Sequence, residues 1–238
     1  WARSDDATIP QIIASISVAA GVSRQQLYLA GDFAGDPVRV ATVTAIGGVS
    51  VASTSTGYSA NVWHHCTGYF ASTTSRGVYI DGGSIGNNAT SRVPGTTNTS
   101  TIGARASSST HADFFSGDIA EVAAYTVQLS DADVAALATA ICPLMFKLGV
   151  LATYIPLMGT FSPEPDLMMS VAALTVTGAT QSAHPRVFYP PRRPVNVAPT
   201  AFANYTLLSG GTGANPSWGQ IVTASIAANQ VTYATMQD

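Results

Sequence analysis

The chain has 238 residues, enough for one large domain with an appendage or for two small domains. Charged residues make up only 10% of it and the formal net charge is −3, so no basic surface predicts binding to nucleic acid or to an anionic membrane. The most apolar segment, residues 134–157, is interrupted by Pro143, Lys147, Gly149 and Pro156, which excludes a membrane-spanning helix of about twenty residues.

The first half of the chain predicts a series of short strands separated by turns. Runs rich in β-branched and aromatic residues alternate with clusters of Gly, Asp, Asn and Ser. Gly47-Gly48 and Asp81-Gly82 are hairpin signals, because glycine adopts a positive φ angle at little cost. Strands are predicted at residues 12–18, 25–30, 37–44, 49–53, 61–70, 75–83 and 101–104.

A further strand followed by a helix is predicted at residues 113–141. Residues 118–125 contain hardly any turn-forming residue and carry apolar side chains on both faces, so we expect a central strand covered on both sides. Ser130 then fits a helix N-cap, with Asp133 three residues later and apolar residues at helical spacing behind it. Pro143 is expected to end this helix, because proline lacks a backbone N–H.

These motifs resemble, in their order, the laminin-G-like or concanavalin-A-like jelly roll. Residues 63–66 resemble that family's W-x-H-[VC]-A strand, and residues 78–82 resemble its V/L-Y-V/I-D-G partner strand. Residues 1–4 resemble the end of its first core strand, so the chain is expected to begin inside the domain. The F-x-G-x-I-x-E-V-x-x-Y strand and L-S-x-x-E/D-V-x-x-L helix of the family are matched by Phe115, Gly117, Ile119, Glu121, Val122, Tyr125, Leu129, Ser130, Asp133, Val134 and Leu137.

The resemblance implies an all-β sandwich with one short helix, which we expect to occupy residues 1–190 and to lack its N-terminal strand. Residues 150–158 and 173–177 predict strands that return to this sandwich and cover an edge or a face of it. Residues 191–200 contain several Pro and Arg residues and predict a stiff, extended linker.

The tail, residues 201–238, has too few apolar residues to bury a core alone, so we expect it to become ordered by pairing with copies of itself or with a partner. Its phrases L-S-G-G-T-G-A-N-P-S-W-G at 208–219 and I-A-A-N-Q-V-T-Y-A-T-M-Q at 226–237 resemble stem segments of bacteriophage tail fibres. That resemblance implies an extended fibre stem, a homotrimer, contacts with other virion proteins and a chain that continues past Asp238.

A glycan ligand is expected to meet aromatic and amide groups at a loop end or on the concave face of the sandwich. Tyr58, Asn61, Asn87 and Asn88 lie in predicted loops and are the candidate ligand-binding residues. Their residue types suit the task, because an aromatic ring offers an apolar plane and an amide both donates and accepts hydrogen bonds.

Calcium is the second candidate ligand. Laminin-G-like domains often bind Ca²⁺ at a loop rim through aspartates and backbone carbonyls, and the resemblance implies the same here. Asp32 and Asp36 supply two hard oxygen ligands on one short loop, and Asp5-Asp6 is a further candidate pair. Loop aspartates also cap turns, so a structural role stays open for all four.

Other reactive side chains have structural interpretations. His64 and His65 point to opposite faces of a strand, so they cannot both ligate one metal ion. Glu121 is either a perturbed acid in a site or, as we favour, a buried carboxylate tied to backbone N–H groups or an arginine. Cys66 and Cys142 are predicted to be separate thiols, with a disulfide as the alternative.

The acid pairs of glycoside hydrolases are missing from the sequence. Such enzymes on this sandwich carry an E-x-D-x-x-E strand that places two carboxylates across a cleft. This chain has only two glutamates, Glu121 and Glu164, far apart, while Asp118 and Glu121 fall on opposite strand faces. We therefore predict that the chain is not an enzyme.

The sequence as a whole predicts a structural and adhesive component of a bacteriophage virion, a tail fibre on the outside of the particle. Its jelly roll is expected to bind a host surface glycan or a neighbouring virion protein, with no nucleic acid and no membrane insertion. The alternatives are a polysaccharide depolymerase with its catalytic residues elsewhere, a capsid decoration or head-fibre protein, and a secreted cellular adhesin.

Overall fold

The chain falls into two units, Trp1–Pro190 and Pro191–Asp238. The computed structural model describes residues 1–18, 21–107, 110–157, 162–168, 174–182, 184–189, 205–208 and 217–220.

The first unit is built almost entirely from short strands. Besides them, its described residues contain one α-helix and two short 3₁₀ turns, Pro143–Met145 and Leu148–Val150. The elements are β1 (Ala2–Ser4), β2 (Pro10–Ser17), β3 (Arg24–Ala30), β4 (Pro37–Val43), β5 (Val49–Gly57), β6 (Cys66–Ser72), β7 (Ser75–Ile80), β8 (Gly83–Asn88), β9 (Thr99–Ile102), β10 (Arg105–Ser107), β11 (Thr110–Ala112), β12 (Gly117–Ile119), β13 (Val122–Tyr125), α1 (Asp131–Leu137) and β14 (Leu151–Ile155).

Two antiparallel sheets form the sandwich. The larger sheet has the order β5-β4-β3-β2-β9, and the smaller has the order β6-β7-β8. Three two-stranded pairings accompany them: β1 with β12, β10 with β11, and β13 with β14. Within a strand, successive side chains point to opposite faces of the sheet, so alternate residues can reach the interior.

The main core lies between the two sheets. Val38 and Val40 of β4 are buried in one cluster with Leu29 of β3 and with Val78 and Ile80 of β7. Burying a side chain of this size contributes about 1.5–3 kcal/mol to stability. This arrangement confirms the all-β sandwich with one short helix that the sequence predicts.

A glycine permits the two sheets to meet where β8 crosses β5. A Cβ atom built at Gly86 would lie 1.7 Å from the carbonyl oxygen of Ser53, a distance that no side chain could tolerate. The backbones can approach only because the position carries no side chain.

β1 lies between two other segments of the chain. The Ala2 N–H donates to the carbonyl of His64 at 3.0 Å, and the His64 N–H donates back at 2.9 Å. On its other side Ala2 is the partner of Ile119 in β12, and the Trp1 amino group donates to the carbonyl of Ala120 at 2.8 Å. The prediction that residues 1–4 belong to a core strand is confirmed.

The prediction of one central strand at residues 118–125 is wrong. β12 ends at Ile119 and β13 begins at Val122, because Glu121 between them has a φ angle of 58°, in the left-handed region. β12 pairs only with β1, and β13 only with β14, among the residues that the structure describes. The predicted strand is therefore two short edge strands with different partners.

The helix begins as predicted and ends earlier than predicted. Ser130 is its N-cap: its side chain accepts from the Asp133 N–H, and the Asp133 carboxylate accepts from the Ser130 N–H in return. The helix ends at Leu137, and Ala140 then has a φ angle of 67°, which takes the chain out of the helical path. Pro143 begins a 3₁₀ turn and is not the residue that ends the helix.

Three other predictions can be compared with the structure. The Asp81-Gly82 hairpin turn is confirmed, with φ angles of 51° and 76°. The strand predicted from residue 61 begins only at Cys66. Of the strand predicted at residues 173–177, the described part shows an isolated bridge between Leu174 and Glu164.

Both cysteines are free, as predicted: Cys66 is half-buried and Cys142 is buried. In the second unit, β15 (Tyr205–Leu208) and β16 (Ser217–Gln220) pair as an antiparallel hairpin. The linker predicted at residues 191–200, and the rest of the fibre stem predicted at residues 201–238, lie outside the described residues. No helix in the described ranges is both long and apolar enough to cross a bilayer.

His65 lies beside β1 in the interior, with its ring centroid 5.2 Å from that of Trp1. Its burial, with a smaller effect from the N-terminal ammonium group, lowers its pKa from 6.5 to about 3. Between these two pH values the unfolded chain binds a proton that the folded chain does not, so acidification below 6.5 favours unfolding.

We expect the free energy of unfolding to fall by about 2 kcal/mol through His65 alone between pH 7 and pH 5. His65→Gln removes this contribution, whereas His111→Gln, at an exposed position, retains it. Urea denaturation of the wild type and both variants at the two pH values provides the measurement. Equal pH dependence in all three proteins would contradict the expectation.

Candidate functional site

Three residues form a row across the outer face of the smaller sheet. Tyr69 of β6 is the cross-strand partner of Gly77 in β7, and Gly77 is the partner of Asn87 in β8. The neighbouring Tyr79 on β7 packs against Val134 and Leu137 of α1, so the helix covers only that part of the face. Asn87 is exposed and Tyr69 is half-buried, which leaves both available at the surface.

Gly77 fixes the position of the tyrosine ring. A Cβ atom at Gly77 would lie 2.5 Å from Cε1 of Tyr69 and 2.5 Å from Oδ1 of Asn87. Because that atom is absent, the ring lies across β7, and the Tyr69 hydroxyl donates to Asn87 Oδ1 at 2.6 Å. The Tyr79 ring supports it from one side, with centroids 6.3 Å apart and the planes tilted by 46°.

The row, hereafter the Tyr69–Asn87 row, has the chemistry of a surface for sugars. An aromatic ring accepts the apolar C–H face of a pyranose, while an amide donates to and accepts from its hydroxyl groups. The Asn87 Nδ2 group makes no hydrogen bond within the described residues, so its two donors can meet a ligand. The sequence points to Asn87 but not to Tyr69, since their contact depends on strand register.

Asn88, which is next to Asn87 in the chain, has a structural role. Its Oδ1 atom accepts from the Arg76 guanidinium at 3.2 Å and from the Ser50 hydroxyl at 2.6 Å, while its Nδ2 group donates to the Val51 carbonyl at 2.9 Å. Arg76 is fully buried and also donates to the carbonyls of Thr73 and Thr90. Asn87 and Asn88 thus lie in β8, not in a loop as predicted, and Asn88 faces inward.

Tyr58 and Asn61 lie apart from the Tyr69–Asn87 row. Tyr58 lies in a loop after β5, as predicted, but is only 4% exposed, and its hydroxyl donates to the Asp6 carbonyl at 3.3 Å. Asn61 is exposed in a turn with a φ angle of 62°, and its N–H donates to the Ser4 carbonyl. Ligand binding at the four predicted residues stays a prediction, of which only Asn87 belongs to the row.

A family model of the laminin-G type, described as the concanavalin A-like lectin/glucanases superfamily, matches residues 1–135. The match spans more than half of the chain and ends inside α1. The chain belongs to this superfamily. No curated protein matches the sequence.

Two of the candidate calcium ligands of the concanavalin A-like domain contact Tyr58 through their backbone: its hydroxyl donates to the Asp6 carbonyl and its N–H donates to the Asp36 carbonyl. Burial, followed by the carboxylates of Asp36, Asp6 and Asp32, raises the pKa of Tyr58 to about 12. Asp32 is exposed, whereas Asp6 is engaged with Thr8 through its backbone N–H at 2.7 Å and its hydroxyl at 2.6 Å.

Calcium binding at Asp32 and Asp36 stays a prediction. Asp36 has a φ angle of 45°, and its carbonyl already accepts from the Tyr58 N–H at 2.9 Å. Among the described residues, no three His, Cys, Asp or Glu side chains are grouped so that they could hold a metal ion.

The adjacent histidines His64 and His65 act separately. His64 Nδ1 lies 2.7 Å from Asp81 Oδ2, and its Nε2 accepts from the Ser59 N–H at 3.0 Å. Both ring nitrogens of His64 are therefore occupied by the protein. With His65 buried against Trp1, the structure agrees with the expectation that the pair does not ligate one ion.

Glu121 is one of the buried carboxylates that the sequence singles out. Its Oε2 accepts from the Tyr154 hydroxyl at 2.6 Å, and its Oε1 accepts from the Tyr189 hydroxyl at 2.5 Å. His184 Nε2 lies 3.0 Å from the same Oε1 atom. The expected buried structural carboxylate is present, but its partners are two phenols and an imidazole rather than backbone N–H groups or an arginine.

The environment of this cluster keeps Tyr154 protonated. Burial and the hydrogen bond to Glu121 raise the pKa of Tyr154 far above its ordinary value. Because Tyr189 and His184 lie near the end of the first unit, the same carboxylate fixes residues 184–189 to β14. The cluster is thus a structural contact between distant parts of the domain.

We expect Tyr154→Phe to lower the free energy of unfolding by about 1.5–3 kcal/mol, because a buried carboxylate loses a charge-assisted hydrogen bond. Tyr58→Phe is the matched control: it removes a buried hydroxyl whose acceptor is a neutral carbonyl, so a smaller loss of about 0.5–1.5 kcal/mol is expected. Urea denaturation at neutral pH measures the free energy of unfolding of both variants. A loss of stability for Tyr154→Phe that is no larger than that for Tyr58→Phe would contradict the structural role of the cluster.

Proposed function

We propose that this chain is a structural and adhesive component of a bacteriophage virion, a tail fibre, and that its concanavalin A-like domain binds a host surface glycan at the Tyr69–Asn87 row. Superfamily membership supports a binding module, since such domains commonly bind carbohydrate or protein. The Tyr69–Asn87 row is the reason for proposing carbohydrate rather than protein as the ligand. The fibre part of the proposal derives from the tail, residues 201–238.

The geometry of the Tyr69–Asn87 row supports a glycan in particular. The ring is held in one orientation by Gly77 beneath it, by Tyr79 beside it and by Asn87 at its hydroxyl. A ligand therefore meets a surface that is already ordered, which reduces the entropy lost on binding. Strands β6, β7 and β8 supply one residue each, so the surface belongs to the rigid sheet rather than to a loop.

The surroundings of Asp118 and Glu121 support a domain that binds a glycan without hydrolysing it. Glycoside hydrolysis requires one carboxyl group as acid and a second as nucleophile or base, about 5–10 Å apart. Glu121 accepts from two tyrosine hydroxyls, and Asp118 accepts from the Arg3 guanidinium at 2.7 Å. Both carboxylates are engaged in structural contacts, as suits a module that binds its glycan and leaves it intact.

Two features of the tail support the proposal that the chain is part of a fibre. Its two long phrases resemble fibre stems, and β15 pairs with β16 as an antiparallel hairpin in the second unit. An isolated two-stranded hairpin is at best marginally stable in water. Because the tail has few apolar residues, three copies together can form a core that one copy cannot, which is the reason for proposing a homotrimer on the outside of the virion.

We expect the chain to bind at least one member of an array of purified bacterial surface polysaccharides. Tyr69→Ala should weaken that binding about tenfold or more, because the substitution removes the contact area of a central aromatic ring that is already held in one orientation. Asn87→Ala should weaken it as well. Phe114→Ala is the matched control, since Phe114 is an aromatic residue 64% exposed and outside the row.

Two results would count against glycan binding at this row. One is equal affinity of the wild type and Tyr69→Ala for every polysaccharide that is bound, and the other is binding to none of them. The supernatant of each incubation is also analysed for released oligosaccharide. Release would replace the binding model with a depolymerase.

A homotrimer predicts three times the mass of one chain in light scattering after size-exclusion chromatography. A chain ending at Pro190, the boundary between the two units, is expected to have the mass of one copy, because the proposed contacts lie in the tail. A single-copy mass for the 238-residue chain would contradict the fibre proposal and leave the glycan proposal standing.

A further inference from the structure

An apolar side chain, Ile85, lies beside the Tyr69–Asn87 row on the same face of β8. A Cβ atom at Gly86 would point at the carbonyl of Ser53 in β5, so residue 86 faces the other sheet. Side chains alternate along a strand, so Ile85 and Asn87, on either side of it, both point to the outer face. Ile85 is 40% exposed, and a ligand on the row can therefore contact it.

Ile85 and Asn87 together select the kind of group that fits beside the row. Residues two apart on a strand are separated by roughly 6.5 Å. Asn87 offers the two donors of its Nδ2 group, which make no hydrogen bond within the described residues, and Ile85 offers apolar surface. The complementary group accepts a hydrogen bond at one end and is apolar at the other. A hydroxyl group lacks the apolar end.

An acetamido group has both properties in the space of a few atoms. Its carbonyl oxygen and its methyl group are attached to the same carbon. When the oxygen accepts from Asn87, the methyl group can lie on Ile85. Burying that methyl group removes apolar surface from water on both partners, which favours binding.

The charges around this face favour a neutral sugar. Arg76 is the one basic residue of β6, β7 and β8, all of which the structure describes, and its buried guanidinium donates to Ser50 of β5 in the other sheet. On the outer side, the hydroxyl of Tyr79 donates to the carboxylate of Asp131 at 2.7 Å. Since these three strands offer no cation to the outer face, a sugar carboxylate would meet no opposite charge there.

We propose that the Tyr69–Asn87 row and Ile85 bind a neutral N-acetylated amino sugar. The pyranose ring lies on the Tyr69 ring, its acetamido carbonyl accepts from Asn87 Nδ2, and its acetamido methyl packs on Ile85. This inference rests on the proposed glycan binding at the row and adds the class of sugar. Ile85 is then the residue that determines specificity, because it contacts the one part of the ligand that a plain hexose lacks.

Two tetrasaccharides form a matched pair of probes. Chitotetraose and cellotetraose are both β-1,4-linked and differ only in an acetamido group or a hydroxyl group at C2 of each sugar. Saturation-transfer difference NMR on the 238-residue chain gives the Kd of each probe and shows which ligand protons touch the protein. We expect chitotetraose to bind about fivefold more tightly, as burial of one methyl group implies, with the largest saturation at its acetamido methyl protons.

Three variants assign this preference to its residues. Ile85→Ala is expected to bring the affinity for chitotetraose to within about twofold of that for cellotetraose. Ile46→Ala is the matched control, since Ile46 is 96% exposed between β4 and β5, and it retains the preference of the wild type.

Asn87→Asp keeps an oxygen for the Tyr69 hydroxyl but replaces the donor that the acetamido carbonyl needs. It is expected to weaken chitotetraose at least tenfold and cellotetraose less, because a hydroxyl group can donate to the carboxylate whereas a carbonyl cannot. A hyaluronan tetrasaccharide, in which N-acetylglucosamine alternates with an anionic uronic acid, is expected to bind more weakly than chitotetraose.

Four results would overturn this inference: no binding of chitotetraose, equal or tighter binding of cellotetraose, a preference that survives Ile85→Ala, or tighter binding of the hyaluronan probe. Glycan binding at the row is decided separately, by the polysaccharide array and Tyr69→Ala. A polysaccharide without N-acetyl groups that binds the wild type and not Tyr69→Ala would refute the sugar class and leave the glycan proposal standing.

Discussion

The buried carboxylate of Glu121 is the contact on which much of this domain depends. A carboxylate in the interior must be hydrogen-bonded, and here it accepts from two tyrosine hydroxyls, with the His184 imidazole 3.0 Å away. To place it there, the backbone of Glu121 adopts a positive φ angle, which divides what would be one strand. The first half stays beside β1, and the second half turns to pair with β14.

That division leaves β13 paired with β14 instead of with a strand of either main sheet, among the residues that the structure describes. The outer face of the smaller sheet is arranged independently, by a glycine that lets the Tyr69 ring cross β7 and meet Asn87. This outer face is the surface that we propose for sugar rings.

The sequence predicts those features whose causes are local. The Asp81-Gly82 turn follows from the conformational freedom of glycine, and the helix start follows from the side chain of Ser130. The early end of the helix at Leu137 was missed, because no residue near it forbids a further turn. Proline at position 143 is a sufficient reason for a helix to end but not a necessary one.

Features that depend on distant partners were beyond the sequence. A glutamate at a positive φ angle is understandable only once Tyr154 and Tyr189 are known to reach it. Tyr69 meets Asn87 only because of the register of three strands. The pairing of β7 with β8 shifts between Val78 and Ile80, so counting residues from the turn gives the wrong partner for Gly77.

Arg76 has a consequence for how the domain responds to force. Its guanidinium joins Ser50 of β5 in one sheet to Asn88 of β8 in the other, and it also holds the carbonyls of Thr73 and Thr90. The sheets can separate at this edge only if the hydrogen bonds that cross between them break: Arg76 to Ser50, Ser50 to Asn88, and Asn88 to the Val51 carbonyl. Resistance to pulling is governed by the unfolding barrier rather than by equilibrium stability, so such a clamp would suit the adhesive role that we propose for the domain.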